Sequence, residues 1–161
     1  MTWTGGCLCG AIRFEAEVAD TENWYCHCRM CQKATGSVVS SSAIVPKARL
    51  RITSGEPKFY RSSKFVERGF CSDCGSPLFF RPINEDWLSV MAGALDDPEV
   101  APPQGHYGVE SWVSWLKIDD DLKREPTQED EYGCLIVPDR VGRIAQLKRL
   151  AETGICAIKR I

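Results

Sequence analysis

The sequence has 161 residues, 43% hydrophobic and 26% charged, which fits one globular domain with room for an appendage and excludes a fibre or repeat array. Twenty Lys plus Arg against 22 Asp plus Glu give a formal charge of −2, a near balance that excludes a broad electrostatic grip on nucleic acid while leaving room for a small basic pocket. A chain of this length buries about 70% of its unfolded surface without needing disulfides, so its nine cysteines require another explanation.

The chain opens on Met1-Thr2-Trp3-Thr4, with no basic segment leading into an apolar stretch, and no apolar run approaches the roughly 20 residues of a membrane span. A soluble, cytoplasmic protein is expected. From Ala11 to Val18 the apolar Ile12, Phe14, Ala16 and Val18 alternate with Arg13, Glu15 and Glu17, the period of a half-buried strand. Arg29 to Thr35 reads as one short helical turn, with Gly36 placed to end it in the left-handed conformation. Further short β-rich runs follow at Ser37 to Val45, Arg49 to Thr53, Lys58 to Arg61, Phe65 to Phe70, Leu78 to Arg81 and Trp87 to Ala92. Pro46, Gly55-Glu56-Pro57, Cys71 to Pro77 and Pro82-Ile83-Asn84 supply turns between them. The pattern predicts a mainly β, mainly antiparallel fold.

After Leu95 the chain turns loop-like, and Gly105 to Leu116 is expected to fold back on the sheet with Trp112 and Trp115 as packing residues. Asp119 to Glu131, rich in acids and poor in aliphatics, reads as an exposed connector, which sets a division into residues 1–126 and an extension over residues 127–161. In that extension Asp139 can cap a helix in which Val141, Ile144, Leu147, Leu150 and Ala151 recur at helical spacing until Gly154. One apolar stripe without chemistry makes the tail a packing or homo-oligomerisation element.

In a reducing compartment, close cysteine pairs read as metal ligands or redox groups. Cys7-Leu8-Cys9-Gly10 and Cys71-Ser72-Asp73-Cys74-Gly75 are two paired-cysteine turns, each followed by glycine. Together they offer the four thiolates of a closed tetrahedral zinc site and would staple distant segments. Cys26, Cys28 and Cys31 place three thiols within six residues. Three protein ligands are what a catalytic zinc site keeps, leaving the fourth position open. The alternative is that His27, His106 or Cys134 closes this cluster into a second structural site, although His27, lying between two ligands, is expected to point away.

Three stretches then carry a resemblance: Gly6-Cys7-Leu8-Cys9-Gly10-Ala11-Ile12-Arg13-Phe14, Cys26-His27-Cys28-Arg29-Met30-Cys31-Gln32-Lys33-Ala34-Thr35-Gly36, and Gly69-Phe70-Cys71-Ser72-Asp73-Cys74-Gly75-Ser76-Pro77-Leu78. With Ser54-Gly55-Glu56-Pro57 and Gly93-Ala94-Leu95-Asp96-Asp97-Pro98, they resemble the glutathione-dependent formaldehyde-activating enzyme family, which includes a centromere protein branch, over roughly Thr2 to Pro126. The resemblance implies an Mss4-like β fold holding two zinc ions. Cys7, Cys9, Cys71 and Cys74 would bind the structural ion, and Cys26, Cys28 and Cys31 the catalytic one. The implied activity is that of a carbon–sulfur lyase, an S-(hydroxymethyl)glutathione synthase acting on glutathione and formaldehyde.

Glutathione is anionic, so Arg29 and Lys33 beside the cluster are candidate carboxylate partners, with Arg13, Lys64 and Arg68 on neighbouring strands as further ones. Two other functions compete. A non-catalytic, zinc-stabilised protein-interaction module would need the second site closed. A thiol redox enzyme resembling methionine sulfoxide reductase B would need a reactive, metal-free cysteine, for which Cys134 is the candidate; Cys134 and Cys156 otherwise read as reduced, partly buried thiols. His106 reads as structural, with general base or ligand as its functional alternatives.

Overall fold

A computed structural model describes residues 1–20 and 22–127. The expected tail helix, Cys134 and Cys156 therefore lie outside the described residues. Among the described residues eleven strands and one α-helix follow in chain order: β1 (Thr2–Gly6), β2 (Arg13–Glu17), β3 (Asn23–Cys26), α1 (Arg29–Thr35), β4 (Ser40–Pro46), β5 (Leu50–Ser54), β6 (Lys58–Arg61), β7 (Val66–Phe70), β8 (Pro77–Pro82), β9 (Trp87–Met91), β10 (Gly105–Tyr107) and β11 (Lys123–Glu125). The fold is mainly β, as the spacing of the short runs predicts. Among the described residues no helix is long and apolar enough to cross a membrane.

The strands form two sheets. One is small, in the order β1-β2-β5; the other holds eight strands in the order β11-β10-β3-β4-β9-β8-β7-β6. In β2 the alternation seen in the sequence is realised, with Phe14 and Ala16 turned inward between solvent-facing Glu15 and Glu17. Across from them the large sheet contributes Ala43, Val45, Phe79, Leu88 and Val90 to one core, and Phe14 meets Phe79 edge to face at 5.3 Å between ring centroids. The Gly93 to Pro98 stretch closes the seam between sheets. Asp96 accepts from the Thr4 hydroxyl at 2.6 Å and pairs with Arg13, and a Cβ on Gly5 would collide with the Ala94 carbonyl oxygen at 2.3 Å.

Three departures from the sequence reading have physical reasons. β1 and β3 lack the usual signature: β1 ends in two glycines, and β3 is four residues long and ends in a cysteine, so neither shows a clean aliphatic alternation. The large sheet is not antiparallel throughout, because the chain returns through a long loop to lay β10 parallel to β3, and β11 then adds parallel to β10. The expected exposed connector from Asp119 onward is instead partly structural. β11 is an edge strand that needs only backbone pairing, Glu125 is buried, and Asp120 reaches a buried histidine. Trp112 packs as expected, whereas Trp115 is 70% exposed among the described residues.

The loop after β10 is pinned to the cysteine-bearing loop after β3. His27 N–H donates to the Tyr107 carbonyl at 2.8 Å. Gly108 adopts φ +69°, and a Cβ there would stand 2.9 Å from the Cys28 backbone nitrogen. Gly108→Ala combines backbone strain with that collision, so we expect it to lower stability by about 1–3 kcal/mol in urea unfolding. An unchanged midpoint would show that the two loops are not coupled.

Candidate functional site

The paired-cysteine turns are two copies of one backbone device. The first links β1 to β2, the second β7 to β8. Cys7 N–H donates to the Ile12 carbonyl and Cys71 N–H to the Ser76 carbonyl, both at 3.0 Å, so each turn closes over five residues. Gly10 and Gly75 hold φ of 78° and 74° and turn the chain back over the sulfurs, a conformation that costs a side-chain-bearing residue about 1 kcal/mol or more.

The four Sγ atoms of Cys7, Cys9, Cys71 and Cys74 lie within 4.8 Å of one another. Cys7 and Cys9 are 3.5 Å apart at sulfur, and Cys9 and Cys71 are 3.8 Å apart. Four thiolates held about 2.3 Å from a tetrahedral zinc have edges of about 3.8 Å, so the donor set fits that ion in number, type and spacing. Ile12 N–H donates to Cys7 Sγ at 3.2 Å and supports negative charge there. Ser76, through its hydroxyl and backbone, brings the Cys74 thiol down to about 5. At Cys9 the Ala11 backbone pulls the thiol down, but the neighbouring thiols outweigh it and push it up to about 12. Crowded thiols resist ionising together, and a divalent cation among them removes that conflict.

The second cluster sits at the junction of β3 and α1. Cys26 ends the strand, Cys28 caps the helix, and Cys31 lies in its first turn; their three Sγ atoms also fall within 4.8 Å of one another. Cys28 Sγ accepts from Cys31 N–H at 3.4 Å, and Gly36 closes the helix at φ 69°. The same competition holds here. Hydrogen bonds from Cys26 and Cys28 bring the Cys31 thiol down, helped by the Arg68 guanidinium at 3.7 Å, while Cys26 is pushed up chiefly by its thiol neighbours. Among the described residues no fourth protein ligand joins the three.

The histidines that were candidates to close the site are engaged elsewhere. Burial brings His27 down to about 4, so the ring is neutral at pH 7, and its Nε2 meets His106 Nδ1 at 2.9 Å. His106 Nε2 faces both carboxylate oxygens of Asp120 at 3.0 and 3.1 Å. Asp120 is held below the usual carboxylate range, because the bonds from His106 and Leu122 outweigh its burial. An ionised carboxylate only accepts, so His106 Nε2 carries a proton, and one further proton lies between the two rings. Trp112 stacks on His27 at 3.9 Å and 9°. Gln32 Nε2 completes the brace by reaching the carbonyls of His27, Val38 and Ser111 at 2.7, 3.1 and 3.1 Å. The loop carrying the three cysteines is thus held from behind by a buried polar chain.

In front of the cluster lies a pocket that Cys26 and Cys31 themselves line, with Trp24, Phe80, Trp87, Tyr107 and Arg68. Of the cations proposed from sequence, Arg68 lies in this pocket, its guanidinium 5.2 Å above the Phe80 ring. Arg29 and Lys33 are exposed on α1 and do not line it; Arg29 donates to Gln32. Arg13 is paired with Asp96, and Lys64 is exposed in the turn before β7.

A family profile described as "Glutathione-dependent formaldehyde-activating enzyme" matches residues 2–113. The chain belongs to that family. Similar proteins include an uncharacterized lyase of Schizosaccharomyces pombe, 33% identical over 82 residues that cover 51% of this chain and 59% of that protein. A Phaeosphaeria nodorum protein provisionally named a glutathione-dependent formaldehyde-activating enzyme is 31% identical over 49% of this chain and 44% of its own length. A Halomonas elongata protein with the same provisional name is 27% identical over 74% of this chain and 82% of its own. The chain thus spans about half the length of the first two of these relatives.

Sequence reasoning did not find Asp120, Gln32 or the pocket aromatics. Asp120 sat in an acidic run with nothing to mark it, and Trp24, Phe80 and Trp87 are brought together only by strand order. The polar chain makes a specific prediction. Asp120→Ala removes the acceptor for a buried histidine, and Asp120 is itself partly exposed, so we expect a loss of about 1.5 kcal/mol in urea unfolding at pH 7. A loss below about 0.3 kcal/mol would show that the chain does not brace the loop.

Proposed function

We propose that this chain is a zinc-dependent carbon–sulfur lyase that makes and breaks the adduct of a thiol with an aldehyde, of the S-(hydroxymethyl)glutathione synthase kind. The supporting observation is the three-cysteine cluster, which has no fourth ligand among the described residues and opens directly on a pocket. On this reading Cys7, Cys9, Cys71 and Cys74 hold a structural zinc, and Cys26, Cys28 and Cys31 hold a second one. Zinc bound by three thiolates supplies an open position that keeps an incoming thiol deprotonated near neutral pH.

The chain's own residues do the rest. The brace of His27, His106, Asp120 and Gln32 fixes the cysteine loop, and with His27 Nε2 engaged by His106 the described residues offer the site sulfur ligands alone. Arg68, fixed over Phe80, balances the negative charge of the thiolates and faces the pocket where the thiol's remainder lies. In the forward direction the sulfur electron pair forms the C–S bond to the aldehyde carbon. The C=O π pair moves to oxygen, and the proton given up by the thiol is restored there from water. Cleavage is the reverse. No described side chain is required as a base, because the thiol proton is lost on binding.

Two variants separate the clusters. Cys28→Ser should remove one zinc per chain and leave the fold intact. Cys71→Ser should cost solubility, since structural zinc is commonly worth about 10 kcal/mol in apparent folding energy. Catalysis is read by NMR exchange between formaldehyde and its thiol adducts, that of glutathione among them, where we expect the zinc-loaded protein to exceed the spontaneous rate for at least one thiol and Cys28→Ser to return to it. Exchange no faster than the spontaneous rate for glutathione and for other thiols alike would sink the lyase reading.

A further inference from the structure

The outward face of a half-buried antiparallel sheet is ordinarily polar. Here the face turned away from the core carries Trp24 on β3, Ile44 on β4, Trp87 on β9, Phe80 on β8 and Val66 on β7, all converging on the pocket in front of Cys26 and Cys31. Strand register makes this one continuous surface: Ile44 pairs with Ser89, Ser89 with Phe80, and Phe80 with Arg68. Phe80 and Trp87 stack at 6.3 Å. The polar side chains on the surface are four serines, Tyr107 and the indole N–H groups of Trp24 and Trp87, with one cation among the described residues, Arg68, whose guanidinium lies between the Phe80 ring and Cys31 Sγ. No acidic side chain lines the pocket among the described residues.

Glutathione suits such a surface poorly. It brings two carboxylates and one ammonium, whereas the pocket offers one cation and no anion to receive an ammonium, and desolvating an unpaired charge is costly. A ligand complementary to the site carries sulfur at one end for the three-cysteine cluster, one carboxylate within reach of Arg68, and an aromatic or branched apolar body for the Trp24, Phe80 and Trp87 wall. We infer that the thiol partner of this site is an apolar, monocarboxylate thiol rather than glutathione. This rests on the proposed thiol-binding role of Cys26, Cys28 and Cys31, and it names the substrate class for that role.

Isothermal titration of the zinc-loaded protein against four thiols tests it: 2-mercapto-3-phenylpropanoate, mercaptoacetate, phenylmethanethiol and glutathione. The first should bind at least about tenfold more tightly than each of the others. Arg68→Gln should erase its advantage over phenylmethanethiol, and Trp87→Ala its advantage over mercaptoacetate, with zinc content unchanged in both variants. Glutathione binding as tightly as the aromatic acid, or all four binding equally, would overturn this inference and leave the thiol-binding reading standing. Failure of every thiol to bind a protein carrying its full zinc would overturn both.

Discussion

Seven sulfur atoms of the described residues are gathered into two groups so tight that every member lies within 4.8 Å of its fellows, and the repulsion that thiolates would exert at that distance, which keeps the thiols from ionising together, is the constraint on which both sites depend. One cluster joins a turn of the small sheet to a turn of the large one, with Cys9 and Cys71 in contact across 62 positions of sequence. A cation among these four sulfurs would relieve the repulsion and lock the two sheets over the Phe14 and Phe79 core. The other cluster is local in sequence, so a cation there would do little for long-range topology. Such a site is free to serve a ligand.

The two clusters also differ in what stands beside them. The four-cysteine group is backed by amides and by Ser76 at the rim of the sheets, with Leu8 exposed at the tip of its turn. The three-cysteine group stands between a buried polar brace and an apolar pocket. His27, His106 and Asp120 hold the loop from one side, and Arg68 contributes positive charge from the other. Rigid support behind an open face is the arrangement expected of a binding site on a scaffold, where the geometry of the ligands must be fixed before the substrate arrives.

The metal-type clusters were legible in the sequence because their spacing is local: each turn declares its own two or three cysteines and its closing glycine. α1 was legible for the same reason, with Gly36 marking its end. What the sequence did not disclose depends on which strands become neighbours. Arg68, Phe80 and Trp87 share one surface because β7, β8 and β9 pair in the observed register. Arg29 and Lys33, adjacent to the cluster along the chain, instead face solvent. Asp120 was hidden by composition, since a run of acids reads as a solvated connector until a buried His106 claims one of them. His106 and His27, far apart in sequence, meet because β10 returns parallel to β3.

The central claim is that Cys26, Cys28 and Cys31 leave a coordination position that a thiol enters. Zinc X-ray absorption on the protein with two ions bound, before and after addition of a saturating thiol, tests it most directly. The account predicts an average first shell with fewer than four sulfurs and a lighter ligand before addition, rising to four sulfurs at about 2.3 Å afterwards. A first shell of four sulfurs from the start, or one that saturating thiol does not change, would contradict it.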